Sequence, residues 1–281
     1  MNQLTTEARA KIIGCLVEGC SQRATTRLTG AAKKTVSRLA QEMGEACQAF
    51  GERALVNLPC KRIQCDEIWA FVGCKGKNAS TEDREERGLG DVWTWVALDP
   101  DTKLAAGWFV GDRSASSAYS LLRPLQKRLA NKVQMTTDGH HAYLIAMEAA
   151  FSWVDLDFAQ LVKVYGNTHG EGRYSPGHFQ GAEKKTIKGA PDLAHVSTSH
   201  VERQNLTMRM GIRRFTRLTN AFSKKFEAHQ AAVALHFIHY NFCRIHQTLR
   251  VTPAMQTGLS DHVWSLEELV GLLDAPLAAA A

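Results

Sequence analysis

Apolar residues recur at helical spacing near the start of the chain. Within residues 6–18 (TEARAKIIGCLVE), Ala8, Ile12, Ile13 and Leu16 share one side. Gly19 is placed to end that helix, Ser21 to cap a second, and Thr29-Gly30 to make a short turn. AAKKTVSRLAQEMGEACQAF then carries Val36, Leu39 and Ala40 along one side of a third helix. Helix, short helix, glycine turn, helix over residues 1–50 is the layout of a helix-turn-helix module, and equally of a plain three-helix bundle.

After a connector at 51–60 the period shortens. KRIQCDEIWAFVG alternates and is rich in β-formers, which predicts a strand. KGKNASTEDREERGLGD reads as a polar, mobile loop, and VWTWVALDP with KLAAGWFVG as a hairpin turning at Asp99-Pro100-Asp101. SASSAYSLLRPLQKRLA predicts a helix with Pro124 inside it, placed to kink it. KVQMTTD predicts a strand, HHAYLIAMEAAF a helix and FAQLVKVY a strand. A loop over 166–197, a long helical region over 200–246 that includes a long amphipathic helix stopping near His246, a short helix at 264–273 and an alanine tail complete the pattern. Three strands in a meander followed by alternating helices and strands predict a mixed α/β sheet with helices on both faces. Its span would be 61–220, with a helical extension at 221–281.

Bulk composition adds three constraints. At 281 residues and 44% hydrophobic content, the chain can hold one large core and a small accessory unit. No apolar run is long enough for a membrane span, and MNQLTTEARAKII has no apolar signal core, so a cytoplasmic protein is expected. Seven cysteines with no C-x-x-C pair argue against structural zinc and against a disulfide framework. The net charge of +6 is unevenly spread: residues 161–250 hold 14 Lys and Arg against 5 Asp and Glu. That concentration points to a polyanion such as double-stranded DNA, the alternative being a solvated basic face. In a helix-turn-helix, the third helix would offer Lys33, Lys34, Ser37 and Arg38 to the bases.

Against this positive background three acids stand out. Asp66 lies in the middle of the first strand, Asp138 at the tip of the strand after the first crossover helix, and Glu202 near the start of a later helix. Neighbouring strands would bring Asp66 and Asp138 to one sheet edge. Oxygen ligands without a Cys or His cluster suit Mg²⁺, with Mn²⁺ as a substitute, and two such ions about 3.5–4 Å apart serve phosphodiester chemistry. Each acid has a structural alternative. Asp138-Gly139 makes a turn, Asp66 and Glu67 divide between the two faces of a strand, and Ser199-His200-Val201-Glu202 fits a capping box. Arg203, Arg209, Arg213, Arg214 and Arg217 follow Glu202 on what reads as one helix, Arg209 two turns on and on nearly the same face. His229, His236 and His239 read as packing or solvent-facing residues rather than metal ligands.

Four stretches, CDEIWAFVG, TTDGHHAY, HVERQNLTMRMGIRRFTRLTNAFSKK and ALHFIHYNFCRIHQTLRVTPAM, together resemble the DDE transposases of bacterial insertion sequences, in particular those named after insertion sequence one. The resemblance implies a ribonuclease H-like fold and a triad falling on Asp66, Asp138 and Glu202, which would hold two Mg²⁺ ions. It also implies DNA strand cleavage and strand transfer by a homo-oligomer assembled on the element's terminal inverted repeats and target DNA. Asp66 would be shared between the ions, with Asp138 and Glu202 each on one, and Lys184, Lys185, Lys188, Arg209, Arg213 and Arg214 would hold phosphate. Some members carry a cysteine-based zinc motif before the catalytic domain, whereas this chain shows only the helix-turn-helix pattern. A nuclease of the same fold that does not join strands and a non-catalytic DNA-binding regulator are the alternatives.

Overall fold

The computed structural model describes residues 4–151, 156–166 and 178–274. Helices α1 (Thr6–Val17), α2 (Gln22–Thr29) and α3 (Lys33–Ala54) open the chain. Thr5 and Ser21 cap the first two by accepting from the N–H groups of Ala8 and Ala24. Gly30 closes α2 at φ 73°, a left-handed conformation that glycine adopts without strain. α3 continues through residues expected to be connector, with Gly51 in close contact with Trp108 and Ile238.

Six strands among the described residues form one sheet. They are β1 (Arg62–Val72), β2 (Gly90–Leu98), β3 (Ala105–Gly111), β4 (Val133–Asp138), β5 (Leu156–Gly166) and β6 (His178–Lys188), in the order β3-β2-β1-β4-β5-β6. β1, β2 and β3 are antiparallel, β4 pairs in parallel with both β1 and β5, and β6 returns antiparallel to β5. Between β1 and β2 lies the short helix α4 (Thr81–Glu85), capped by Ser80, where the sequence reads as a loop. Parallel strands need crossovers, supplied by α5 (Ala115–Arg128) and α6 (His141–Ala150), and Pro124 is accommodated inside α5.

Helices pack on both faces of the sheet. α5 and α6 pack on Ile63, Cys65, Trp95 and Met135, while α7 (Ser199–Gly211) and α8 (Phe226–Ile238) pack on Ile68, Ala70, Val92 and Val96. A third core joins the two ends of the chain: Ile12, Ile13, Val36 and Met43 meet Ala234, Ile238 and Phe242, with Leu269 and Val270 of α10 (Leu266–Gly271), which follows the short α9 (Pro253–Gln256). Arg9 closes this unit by bonding both oxygens of Asp274 at 3.0 and 2.8 Å.

Three expectations are corrected. The loop over 166–197 contains β6, an edge strand whose lysine-rich pattern (HFQGAEKKTIK) has no apolar alternation, because almost none of it is buried. Residues 167–177 of that loop and the alanine tail lie outside the described residues. The helical region over 200–246 is two helices, since the chain leaves α7 at Ile212, drives Phe215 into the core, and turns through Leu218 at φ 58°. The arginines after Glu202 therefore do not share one helix. The second helix, α8, runs into a π-helical turn over His239–Cys243, short of His246. Finally, Ser199-x-x-Glu202 is not a capping box, because the helix begins at Ser199 and its preceding residue, Thr198, makes no cap. A capping box does form at Ser265 and Glu268.

Gly44 of α3 faces α8 so closely that an added Cβ would overlap the backbone of Ala231. Gly44→Ala is expected to cost about 1–3 kcal/mol or more by forcing the helices apart, read as a lowered midpoint in urea unfolding.

Candidate metal centre

The strand register brings the first two acids together. β1 and β4 pair in parallel from Arg62↔Gln134 to Cys65↔Thr137, so the next position on each strand is Asp66 and Asp138. Pairing stops there, leaving the two carboxylates at a break in the sheet. Ligand oxygens of Asp66, Glu67 and Asp138 all lie within 4.8 Å of one another. Glu67 was read from sequence only as the neighbour that takes the other face, and it reaches the same point from that face.

Each carboxylate is held differently. Asp66 Oδ2 accepts from Asn205 Nδ2 of α7 at 2.8 Å. Asp138 Oδ1 accepts from the His140 N–H at 3.0 Å, so it makes the turn and stands in the cluster at once. Glu67, with only 1% of its side chain exposed, is paired with Arg113 at 2.8 Å and accepts from the Tyr143 hydroxyl at 3.2 Å. Burial, together with the charges of Glu67, Asp138 and Glu202, pushes the Asp66 carboxyl up to about 7. Burial and Asp138 likewise raise Glu67, against the pull of Arg113.

Glu202 is set by its helix. In place of an N-cap, the side chain of Gln64 on β1 accepts from the N–H groups of His200 and Val201 at 3.0 and 3.2 Å, anchoring the start of α7 over β1. Glu202, in the first turn, accepts from Lys163 Nζ on β5 and from the Thr198 hydroxyl, each at 2.5 Å. It lies outside the group of three oxygen donors, although its charge is felt at Asp66. Asn205 follows it by three residues on the same helix face. The Asn205 Oδ1 is buried with no hydrogen-bond donor.

The basic residues are distributed over several surfaces. Lys33, Lys34, Ser37 and Arg38 are exposed at the start of α3, with Arg38 3.6 Å from Glu42. Lys184 and Lys185 are exposed on edge strand β6; Lys184 donates to the Leu193 carbonyl at 2.5 Å, and Lys188, on the same strand, is half-buried. Arg209 is half-buried on α7, its pKa lowered by burial and by Arg217. Arg213 is exposed, whereas Arg214 is half-buried and donates to Ser223 Oγ at 3.2 Å. His229 and His236 are buried and His239 is half-buried, with burial pushing them down to about 3, 3 and 4, so they are neutral packing groups. All seven cysteines are free thiols, and among the described residues no helix is long and apolar enough to cross a membrane.

A concentration of hard oxygen donors, an elevated carboxyl and an orphaned amide oxygen beside it are what a divalent cation would relieve. Sequence reasoning missed Glu67, Asn205 and Lys163. A double acid in a strand covered on both faces was the available signal for the first, and E-x-x-N on one helix face for the second.

No protein-family model matches the chain, and no curated protein does. Among solved structures, the crystal structure of the Mos1 strand transfer complex aligns at 11% identity over 84% of this chain and 78% of that one, with a TM-score of 0.25. An overlap that slight carries no inference about fold or activity.

Because the Asp66 carboxyl sits above its ordinary range, the fold binds a proton that the unfolded chain releases near pH 4. The stability linked to it is complete below about pH 4 and lost as pH rises through about 7. In EDTA, Asp66→Asn is therefore expected to melt roughly 2–4 °C above the native chain at pH 8, with the gap shrinking toward pH 4. Added Mg²⁺ is expected to raise the native melting point and leave that of the variant in place; equal shifts in both would show that these carboxylates do not bind the ion.

Proposed function

We propose that the chain is a DDE-type transposase whose ribonuclease H-like sheet cleaves DNA at the ends of a mobile element and joins them to target DNA. The observation that carries this reading is the meeting of Asp66 and Asp138 on adjacent parallel strands, with Glu67 beside them. Such a cluster in a chain with a +6 net charge is suited to cations rather than to general solvation.

Asp66 and Asp138 would hold the divalent ions, and Glu202 is assigned as the third acid. When bound, Mg²⁺ supplies a Lewis acid for phosphodiester cleavage and transfer. The protein's part is to fix the ligands. Asn205 orients Asp66, the His140 N–H orients Asp138, and Arg113 with Tyr143 fixes Glu67 at the edge of the cluster. Gln64 sets the height of α7, and through it Glu202 and Asn205. Lys163 neutralises Glu202 until that carboxylate takes part. No serine or tyrosine nucleophile is needed.

We assign DNA holding to the α3 side chains Lys33, Lys34, Ser37 and Arg38, in a helix-turn-helix role, and to Lys184, Lys185, Lys188, Arg209, Arg213 and Arg214. Assembly as a homo-oligomer on the terminal inverted repeats is part of the same reading, as is function in the cytoplasm.

Asp66→Asn and Asp138→Asn are each expected to lower Mg²⁺-dependent cleavage of a labelled duplex carrying the element's end by a hundred- to a thousandfold or more, while filter binding to that duplex stays within about twofold. A supercoiled target in the same reaction should collect joined products. Cleavage that survives either substitution would sink the assignment, and cleavage without joining would reduce it to a nuclease.

A further inference from the structure

The face of β1 that carries Glu67 is left uncovered beyond it. Tyr143, in the first turn of α6, reaches Glu67, and the residues that follow on this face, Trp69 and Phe71, are half-exposed and lie outside the three cores. Their rings are 5.8 Å apart, and Phe71 meets Phe222 of the segment between α7 and α8 at 4.7 Å. Phe222 is brought there by the Gly73 N–H, which donates to the Ser223 carbonyl at 2.8 Å. Trp93 stands opposite Trp69 in the β1–β2 register and is also half-exposed. Four aromatic side chains thus form a strip that starts two residues, about 7 Å, from a carboxylate of the candidate centre.

Cations flank the strip. The Arg113 guanidinium lies 4.5 Å from the Trp93 ring centroid, and Lys224 Nζ lies 3.1 Å from that of Phe222. The acid nearest in register, Asp91 opposite Phe71, is engaged by the Gly76 N–H at 2.8 Å. Phe222 also lines an open cleft of about 690 Å³ whose charged side chains are Arg23, Lys33, Arg213, Arg214 and Lys224, with no carboxylate among its lining residues. Aromatic faces that lead from a cation centre into a purely basic cleft match a chain that alternates flat rings with negative charge. An apolar peptide would leave the cleft's basic side chains without an anionic partner, and a closed duplex would keep its base faces hidden.

We infer that Trp69, Phe71 and Phe222 are a stacking platform for unpaired bases of the DNA strand next to the cleaved phosphate, whose backbone continues into the cleft beside Lys224. The inference rests on the nuclease reading of the neighbouring acids for its place in the reaction.

Its test is equilibrium binding, measured in EDTA by fluorescence anisotropy on the full chain, so that no cleavage contributes. A short single-stranded oligonucleotide and a blunt duplex of the same sequence serve as probes. Trp69→Ala, Phe71→Ala and Phe222→Ala are each expected to weaken single-strand binding about five- to a hundredfold and duplex binding less than about twofold. Trp69→Phe, which keeps a ring, should retain most of the native affinity and guards against a folding defect as the cause. Unchanged single-strand affinity in the alanine variants, parallel loss for both probes, or a native chain that ignores single strands would overturn the platform. So would a drop in mass by light scattering with single-strand affinity intact, which would make the strip a contact between copies. If instead Asp66→Asn still cuts while the alanine variants lose single-strand binding, the nuclease reading fails and the platform stands.

Discussion

Three carboxylates within 4.8 Å of one another repel, and the fold is arranged around tolerating that repulsion. The sheet order makes it unavoidable. β1 and β4 are distant in sequence but adjacent and parallel, so their last paired positions hand the next places to two aspartates. Glu67 adds a third charge from the opposite face. What restrains them is a set of donors drawn from several surrounding elements: Asn205 from α7, the His140 N–H from the β4–α6 turn, Tyr143 from α6, and Arg113 from the segment after β3. Arg113 brings a full positive charge to the cluster itself. The deficit remains concentrated at Asp66, the carboxyl pushed furthest from its ordinary range.

The placement of α7 shows how a polar residue in a core can act as a ruler. A buried glutamine is costly unless its groups are bonded, and Gln64 satisfies two helix N–H groups that no N-cap serves. Strand and helix are thereby pinned at one point, within two residues of Glu202. A leucine at position 64 would fill a similar volume and leave both the register and the N–H groups unset.

Much of the sheet was legible in the chain. The alternation in KRIQCDEIWAFVG, the turn at Asp99-Pro100-Asp101 and the tip at Asp138-Gly139 reappear as β1, the β2–β3 hairpin and the end of β4. Apolar periodicity reports burial, so it is silent where burial is slight. β6 carries lysines on a solvated edge, and α4 is five residues, four of them charged. The break after Gly211 was hidden for the opposite reason. Met208, Arg209 and Met210 before it and Arg213 and Arg214 after it are good helix formers, and the chain departs because Phe215 is buried and Leu218 takes a left-handed turn. The acids were findable singly. Their geometry was not, because Glu202's preference for Lys163 over the cap depends on β5, 39 residues away.

The core shared by α1, α3, α8 and α10 imposes an order on synthesis. Ile13, Val36 and Met43 emerge from the ribosome well before Ala234, Ile238, Leu269 and Val270, the residues they pack against. Until those residues are made, α1 and α3 lack most of the apolar surface they bury against, and α1 and α2, at 12 and 8 residues, are marginal in water by themselves. The exposed start of α3 therefore reaches its final setting only once α8 and α10 have been made. A ribosome-bound fragment that already holds the carboxylates would still lack the finished surface beside the basic cleft, and a product cut short before α8 would leave α1 and α3 without the surface they pack on.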